Sequence, residues 1–161
     1  IQAVAQMNQG MDFRGAKLRA PTDFCVGATV DLGRGIQNEV RLAHLKIESG
    51  AQFLITQPIF DPKEAHQFLE AYAEAAGNHL SVPMFFGLQL LEPDGVIFAS
   101  VPQSVRESLN AGRNGIEIAL ELYSMFQEAG LHNIYLVPPI RRGGARNYAA
   151  AQEFLARVKR I

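Results

Sequence analysis

Short apolar runs alternate with amphipathic helical segments along the chain, and this alternation constrains the fold more than any other feature. The apolar runs are 24–30, 52–57, 82–90 and 133–137. The predicted helices are 38–49, 62–76, 103–110, 113–129 and 148–160. Each strand of such a repeat re-enters the sheet from the same end, which requires parallel pairing with right-handed crossovers. The pattern predicts an α/β fold and fits a small open sheet as well as part of a barrel.

Composition limits the binding partners and the cellular compartment that we expect for this chain. The chain has 161 residues, of which 48% are hydrophobic and 19% charged, and its net charge is −1. We therefore expect one globular domain with no broad attraction to nucleic acid or an anionic membrane, and no apolar run approaches the roughly 20 residues of a membrane helix. Cys25 lies in an apolar run, so we expect a buried free thiol and a reducing cytoplasm. The chain opens on Ile1 inside a helical pattern, which suggests that it begins within a longer protein.

Ligands of α/β proteins bind at the C-terminal ends of the strands, so four loops are candidates. They begin near Asp31, Gln57, Gln89 and Pro138. Gln57 is a polar residue at the end of an apolar strand, and its amide offers a donor and an acceptor that suit the edge of a pterin or flavin ring. Alternatively, it satisfies the backbone of a neighbouring strand end or loop, and position alone leaves both alternatives open.

Two charged residues on the helix at 38–49 are further candidates. Lys46 lies in its last turn, either as a solvated cation that complements the helix dipole or as a contact to a nucleotide phosphate. Glu39 lies seven residues earlier, on nearly the same face. Taken alone, Glu39 is interpreted as an ordinary surface acid near a helix N-terminus.

A loop rich in Arg and Gly follows the fourth strand. Arg141, Arg142 and Arg146 lie in it, and an arginine fork matches carboxylate or phosphate, although a solvated loop fits equally well. Asp31 and Glu92 are the acid–base candidates at the strand ends. The residues alone therefore indicate an α/β domain with a polar rim at its strand ends, without naming a reaction.

The segment 49–61, with the sequence SGAQFLITQPIFD, resembles a signature of the methylenetetrahydrofolate reductase family. Weaker similarities follow in the same order as in that family. They are NQGMDF at 8–13, PTDF at 21–24, GIEIA at 115–119 and IYLVPP at 134–139. The similarity is greatest to the members fused to homocysteine methyltransferases, and it spans nearly the whole chain.

This resemblance implies the second half of a (β/α)8 TIM barrel, with the four strands as its fifth to eighth and residues 1–161 as a single domain or domain fragment. Family members pass a hydride from NAD(P)H to FAD and on to methylenetetrahydrofolate, giving methyltetrahydrofolate for one-carbon and methionine metabolism. Complete activity would require the N-terminal barrel half, which carries the family's catalytic glutamate. That half, or self-association into a homo-oligomer, would cover the open strand edges.

The resemblance also assigns roles to individual residues. Gln57 matches the family's folate-contacting glutamine, with a substrate-binding and catalytic role. Lys46 matches a lysine that contacts the flavin nucleotide, and Glu39 stands where the family has an acid toward the FAD ribose. Arg141 falls near a substrate-binding arginine after the eighth strand, and Phe98 is the candidate for the aromatic residue that stacks on folate.

Two alternatives to the reductase remain. In the first, the chain is a degenerate barrel half that acts as a binding or interaction module without redox turnover. Alternatively, it is a small open-sheet enzyme that uses the loop containing Arg141 for an anionic substrate.

Overall fold

The computed structural model describes residues 1–97 and 100–159, in which every predicted strand and helix is present. The elements in chain order are α1 (Gln2–Asn8), β1 (Gly27–Val30), α2 (Ile36–Glu48), β2 (Phe53–Pro58), α3 (Pro62–Ala76), β3 (Met84–Gln89), α4 (Gln103–Asn110), α5 (Gly115–Glu128), β4 (Ile134–Val137) and α6 (Tyr148–Val158). Over these described ranges, no helix has both the length and the apolar character needed to cross a bilayer.

The four strands are parallel and form one sheet in the order β1-β2-β3-β4. This confirms the predicted α/β class and the parallel strand-helix repeat. By its contacts the chain divides into two compact units, and β2 and β3 contribute residues to both. Unit 1 comprises Ile1–Thr56 and Gln67–Phe85, and unit 2 comprises Gln57–His66 and Phe86–Ile161.

In unit 1, one side of the sheet is more deeply buried than the other. Gly27–Val30 of β1 pair with Phe53–Thr56 of β2, and burial alternates along both strands. The more deeply buried side carries the core of this unit, which includes Val30, Ala43, Leu54 and Phe68 at 0% exposure. The first strand is therefore not buried on both faces, because its alternate residues, such as Thr29, are exposed.

Cys25 is exposed, so the prediction of a buried thiol is also wrong. The strand begins at Gly27 rather than at residue 24, which leaves Cys25 in an extended segment outside the ladder. The neighbouring Phe24 is 50% exposed. An apolar run fixes the presence of a strand, but not which of its residues the helices cover.

In unit 2, Phe86–Gln89 of β3 pair with Ile134–Val137 of β4. The core of this unit contains Leu88 and Phe126 at 0% exposure and Phe154 at 3%. All four residues of β4 are half-buried. Side chains cap the starts of α5 and α6 in this unit, since Asn114 accepts from the Ile116 amide at 2.8 Å and Asn147 accepts from the Ala150 amide at 3.1 Å.

Candidate functional site

Gln57 lies near the C-terminal end of β2, as the sequence predicts. Alternation along the strand places it on the same side as Phe53 and Ile55, opposite the covered core, and it is half-buried there. Its side chain has no hydrogen-bond partner among the residues of the described ranges. The alternative that Gln57 satisfies a neighbouring backbone is therefore not seen, and both amide functions remain available to a ligand.

Gly87 and Tyr135 lie beside the end of β2. The Ile59 amide donates to the Gly87 carbonyl at 3.0 Å. A Cβ added at Gly87 would lie 2.7 Å from the Tyr135 hydroxyl oxygen and 3.0 Å from the Pro58 Cα, so the phenol occupies the space that a side chain at 87 would need. Burial raises the pKa of Tyr135 above its usual 10.0.

Gln89 ends β3 on the same side as Gly87, two residues further along the strand. It is 2% exposed, and its Nε2 donates to the Val96 carbonyl at 2.9 Å. Its Oε1 is buried and has no hydrogen-bond partner among the described residues. We refer to Gln57, Gly87, Gln89 and Tyr135 as the strand-tip cluster, all of which belongs to unit 2.

The sequence pattern identified Gln57 but neither Gln89 nor Tyr135 as a site residue. A signal for Gln89 was present, since it is the one polar residue in the apolar run 82–90. Tyr135 carried no such signal, because an aromatic residue in a strand is ordinary. Only the register of β4 against Gly87 shows that its hydroxyl lies beside the end of β2.

In unit 1, Glu39 and Lys46 lie together and fasten α2 to the end of β1. Lys46 Nζ donates to the Thr29 carbonyl at 2.6 Å and lies 3.9 Å from Glu39 Oε2. The same Glu39 oxygen accepts from the Asp31 amide at 3.1 Å. The side chain of Glu39 is only 3% exposed, so its interpretation as an ordinary surface acid is wrong.

These contacts bear on the predicted flavin site. Glu39 does not fit a contact to a ribose hydroxyl, because its carboxylate is enclosed and already accepts a backbone hydrogen bond. Lys46 is 25% exposed and keeps donors beyond the one directed at Thr29, which leaves room for one contact to a phosphate oxygen. The pair contacts itself and the end of β1, and a flavin contact by Lys46 remains a prediction.

The predicted Arg141 belongs to a polar group that joins the loops after β3 and β4. Its Nε donates to Glu92 Oε2 at 3.2 Å, while Asn147 Nδ2 donates to Glu92 Oε1 at 2.6 Å. The Arg141 side chain is 61% exposed, so a role toward an anionic substrate remains a prediction. Arg142 and Arg146 are exposed. Phe98 lies outside the described residues.

The hydrogen bond from Asn147, assisted by Arg141, holds the pKa of the Glu92 carboxyl below its usual 4.5 although partial burial opposes this. A carboxyl group whose pKa is lower in the folded than in the unfolded protein stabilises the fold at pH values above its unfolded-state pKa. This stabilisation is lost as the pH falls through the folded-state pKa. Asn147→Ser keeps a helix-capping oxygen but removes the Nδ2 amide that donates to Glu92, so we expect the Glu92 pKa to move up toward 4.5. NMR titration of the carboxyl carbon measures it, and a wild-type midpoint at or above 4.5 would contradict this prediction.

Comparisons with known proteins show a similarity at the level of the fold. The chain matches no model of a known protein family, and no curated protein matches it either. Among solved structures it is similar to an uncharacterized protein from Clostridium thermocellum that binds two copies of 5-methyl-5,6,7,8-tetrahydrofolic acid. The TM-score is 0.56 at 19% sequence identity, over 83% of this chain and 52% of that one.

At this identity the similarity shows a shared fold. The chain spans about half the length of that protein. The class defined by fold and site is therefore an α/β domain of parallel strands with a polar cluster at its strand tips.

Proposed function

We propose that the chain binds a reduced folate at its strand tips through the amide of Gln57. The observation that carries this proposal is the amide of Gln57, which lies on the side of the sheet away from the core and has no hydrogen-bond partner in the described part of the chain. The protein from Clostridium thermocellum with a similar fold binds a methylated tetrahydrofolate, which supports the same class of ligand here.

The chemistry of the strand-tip cluster suits this ligand. A pterin ring presents hydrogen-bond donors and acceptors side by side, and a free carboxamide matches such an edge with both of its functions. Tyr135 adds an aromatic surface and a hydroxyl that stays protonated at neutral pH. Small-molecule sites commonly combine such apolar surface with a few oriented polar groups.

The finer proposal is the second half of a (β/α)8 barrel of the methylenetetrahydrofolate reductase type. The TQ block at 56–57 and the order of the other similar segments support it. In the sheet order, β1 and β4 lie at the two ends, where a closed barrel would continue. FAD reduced by NAD(P)H would supply the hydride in such an enzyme, with the N-terminal barrel half or a second copy as partner.

One observation favours the second candidate, a folate-binding module without redox turnover. Lys46 and Glu39, the two residues assigned to the flavin, contact each other and the end of β1. Titrating FAD into the chain, alone and with a reductase N-terminal half supplied, separates the candidates by quenching of flavin fluorescence. Flavin uptake supports the reductase, whereas folate binding without flavin uptake supports the module.

Replacing Gln57 by Ala tests folate binding, which both candidate functions share. We expect the affinity for 5-methyltetrahydrofolate to fall about tenfold or more, because hydrogen bonds to the ligand are lost. Isothermal titration calorimetry measures the dissociation constant. The matched control is Gln67→Ala, since Gln67 is exposed on α3 and should leave the affinity unchanged. Equal affinities of wild type and Gln57→Ala, or no binding by wild type, would refute the proposal.

A further inference from the structure

Gln89 is buried with only half of its hydrogen-bonding capacity used. Its Nε2 is bonded to the Val96 carbonyl, whereas its Oε1 has no partner among the described residues. Leaving a buried acceptor unsatisfied costs about 1–3 kcal/mol, so such groups are rare in native proteins. The residue therefore calls for an explanation beyond packing.

Exchanging the amide oxygen and nitrogen of Gln89 does not remove the problem. The exchange would place Oε1 against the Val96 carbonyl oxygen, and two acceptors would then face each other. The contact with Val96 thus fixes the orientation of the amide. What remains is an acceptor that requires an N–H or O–H donor.

The position of this acceptor relates it to Gln57. Gln57 and Gly87 lie on adjacent strands, which are spaced about 5 Å apart, and Gln89 follows Gly87 by about 7 Å on the same side of the sheet. One bicyclic heterocycle can bridge two amides at this spacing. Gly87 between them contributes no side chain, and the Tyr135 phenol lies over it.

We infer that Gln89 is a second ligand-orienting amide, whose Oε1 accepts a hydrogen bond from the exocyclic amino group of a pterin held by Gln57. The inference rests on the proposed folate binding and adds a determinant of ligand specificity. Because Gln89 is 2% exposed, binding requires that segment 90–97 rearranges to uncover Oε1 while the Val96 carbonyl keeps its hydrogen bond with Nε2.

The test compares two ligands on two proteins. Wild type and Gln89→Met are titrated with 5-methyltetrahydrofolate and with its 2-desamino analogue, which lacks the proposed donor. We expect wild type to prefer the amino-bearing ligand about tenfold, because the analogue leaves the acceptor unpaired. Gln89→Met should bind both ligands with similar affinity. Gln67→Met is the matched control and should keep the wild-type preference.

If Gln89 has only a structural role, Gln89→Met should lower the affinity for both ligands equally and leave the preference for the amino-bearing ligand intact. That result, or a wild type that binds both ligands equally, overturns the inference while folate binding stands. A wild type that binds neither ligand overturns the inference and the proposed function together. Equal binding of both ligands by wild type overturns the inference without any variant, so the inference stays falsifiable even if Gln89→Met fails to fold.

Discussion

Gly115→Ala should lower the free energy of unfolding by about 3 kcal/mol, at the upper end for overpacking substitutions. A Cβ at this position would overlap the carbonyl oxygen of Leu91 and lie 3.0 Å from its carbonyl carbon. The obstacle is backbone, which cannot turn aside as a side chain can. The better helix propensity of Ala, worth at most about 1 kcal/mol, acts in the opposite direction and is too small to compensate.

Urea denaturation followed by circular dichroism measures this effect. Gly33→Ala is the matched control, because a Cβ there meets only the Asp31 side chain, at 3.3 Å. We expect a change within about 0.5 kcal/mol for the control. Equal stabilities of the Gly115 and Gly33 variants would show that the start of α5 is not packed against Leu91 as described.

Lys46→Met should destabilise the protein by about 2–3 kcal/mol, because it leaves the enclosed Glu39 carboxylate without its cation. The expected effect lies below that of a fully buried pair, since Lys46 is 25% exposed and the two charged atoms are 3.9 Å apart. Loss of the hydrogen bond to Thr29 contributes to the same change. Urea denaturation again provides the measurement.

Two further variants show whether the pair is structural. Lys63→Met removes an exposed lysine and should leave the stability nearly unchanged. Adding Glu39→Gln to Lys46→Met should restore part of the loss, since the uncompensated charge is then gone. If Lys46→Met is as stable as wild type, the pair does not fasten α2 to β1, and a role for Lys46 toward a ligand phosphate becomes the better interpretation.

The order of elements could be predicted from the sequence because local chemistry determines it. The Lys63 amide donates to Asp61 Oδ1 at 2.9 Å, as expected where an Asp-Pro pair begins a helix, and α3 has the predicted bounds. Gln57 was identifiable for a similar reason, since a polar residue at the end of an apolar strand stands out locally.

The remaining features depend on contacts between distant residues. The exposure of Cys25 follows from where β1 begins, and the burial of Glu39 follows from how α2 packs on the end of β1. Only the register of β3 and β4 shows that Gln89 and Tyr135 lie in the same cluster. Composition and periodicity contain none of this information.

The position of β4 has a consequence for handling the protein. It is the terminal strand of the sheet order and half-buried along its length, so its outer backbone groups can template a further strand. Protein concentration then becomes an experimental variable. Affinities and unfolding midpoints should be compared across a dilution series before any difference is ascribed to a substitution.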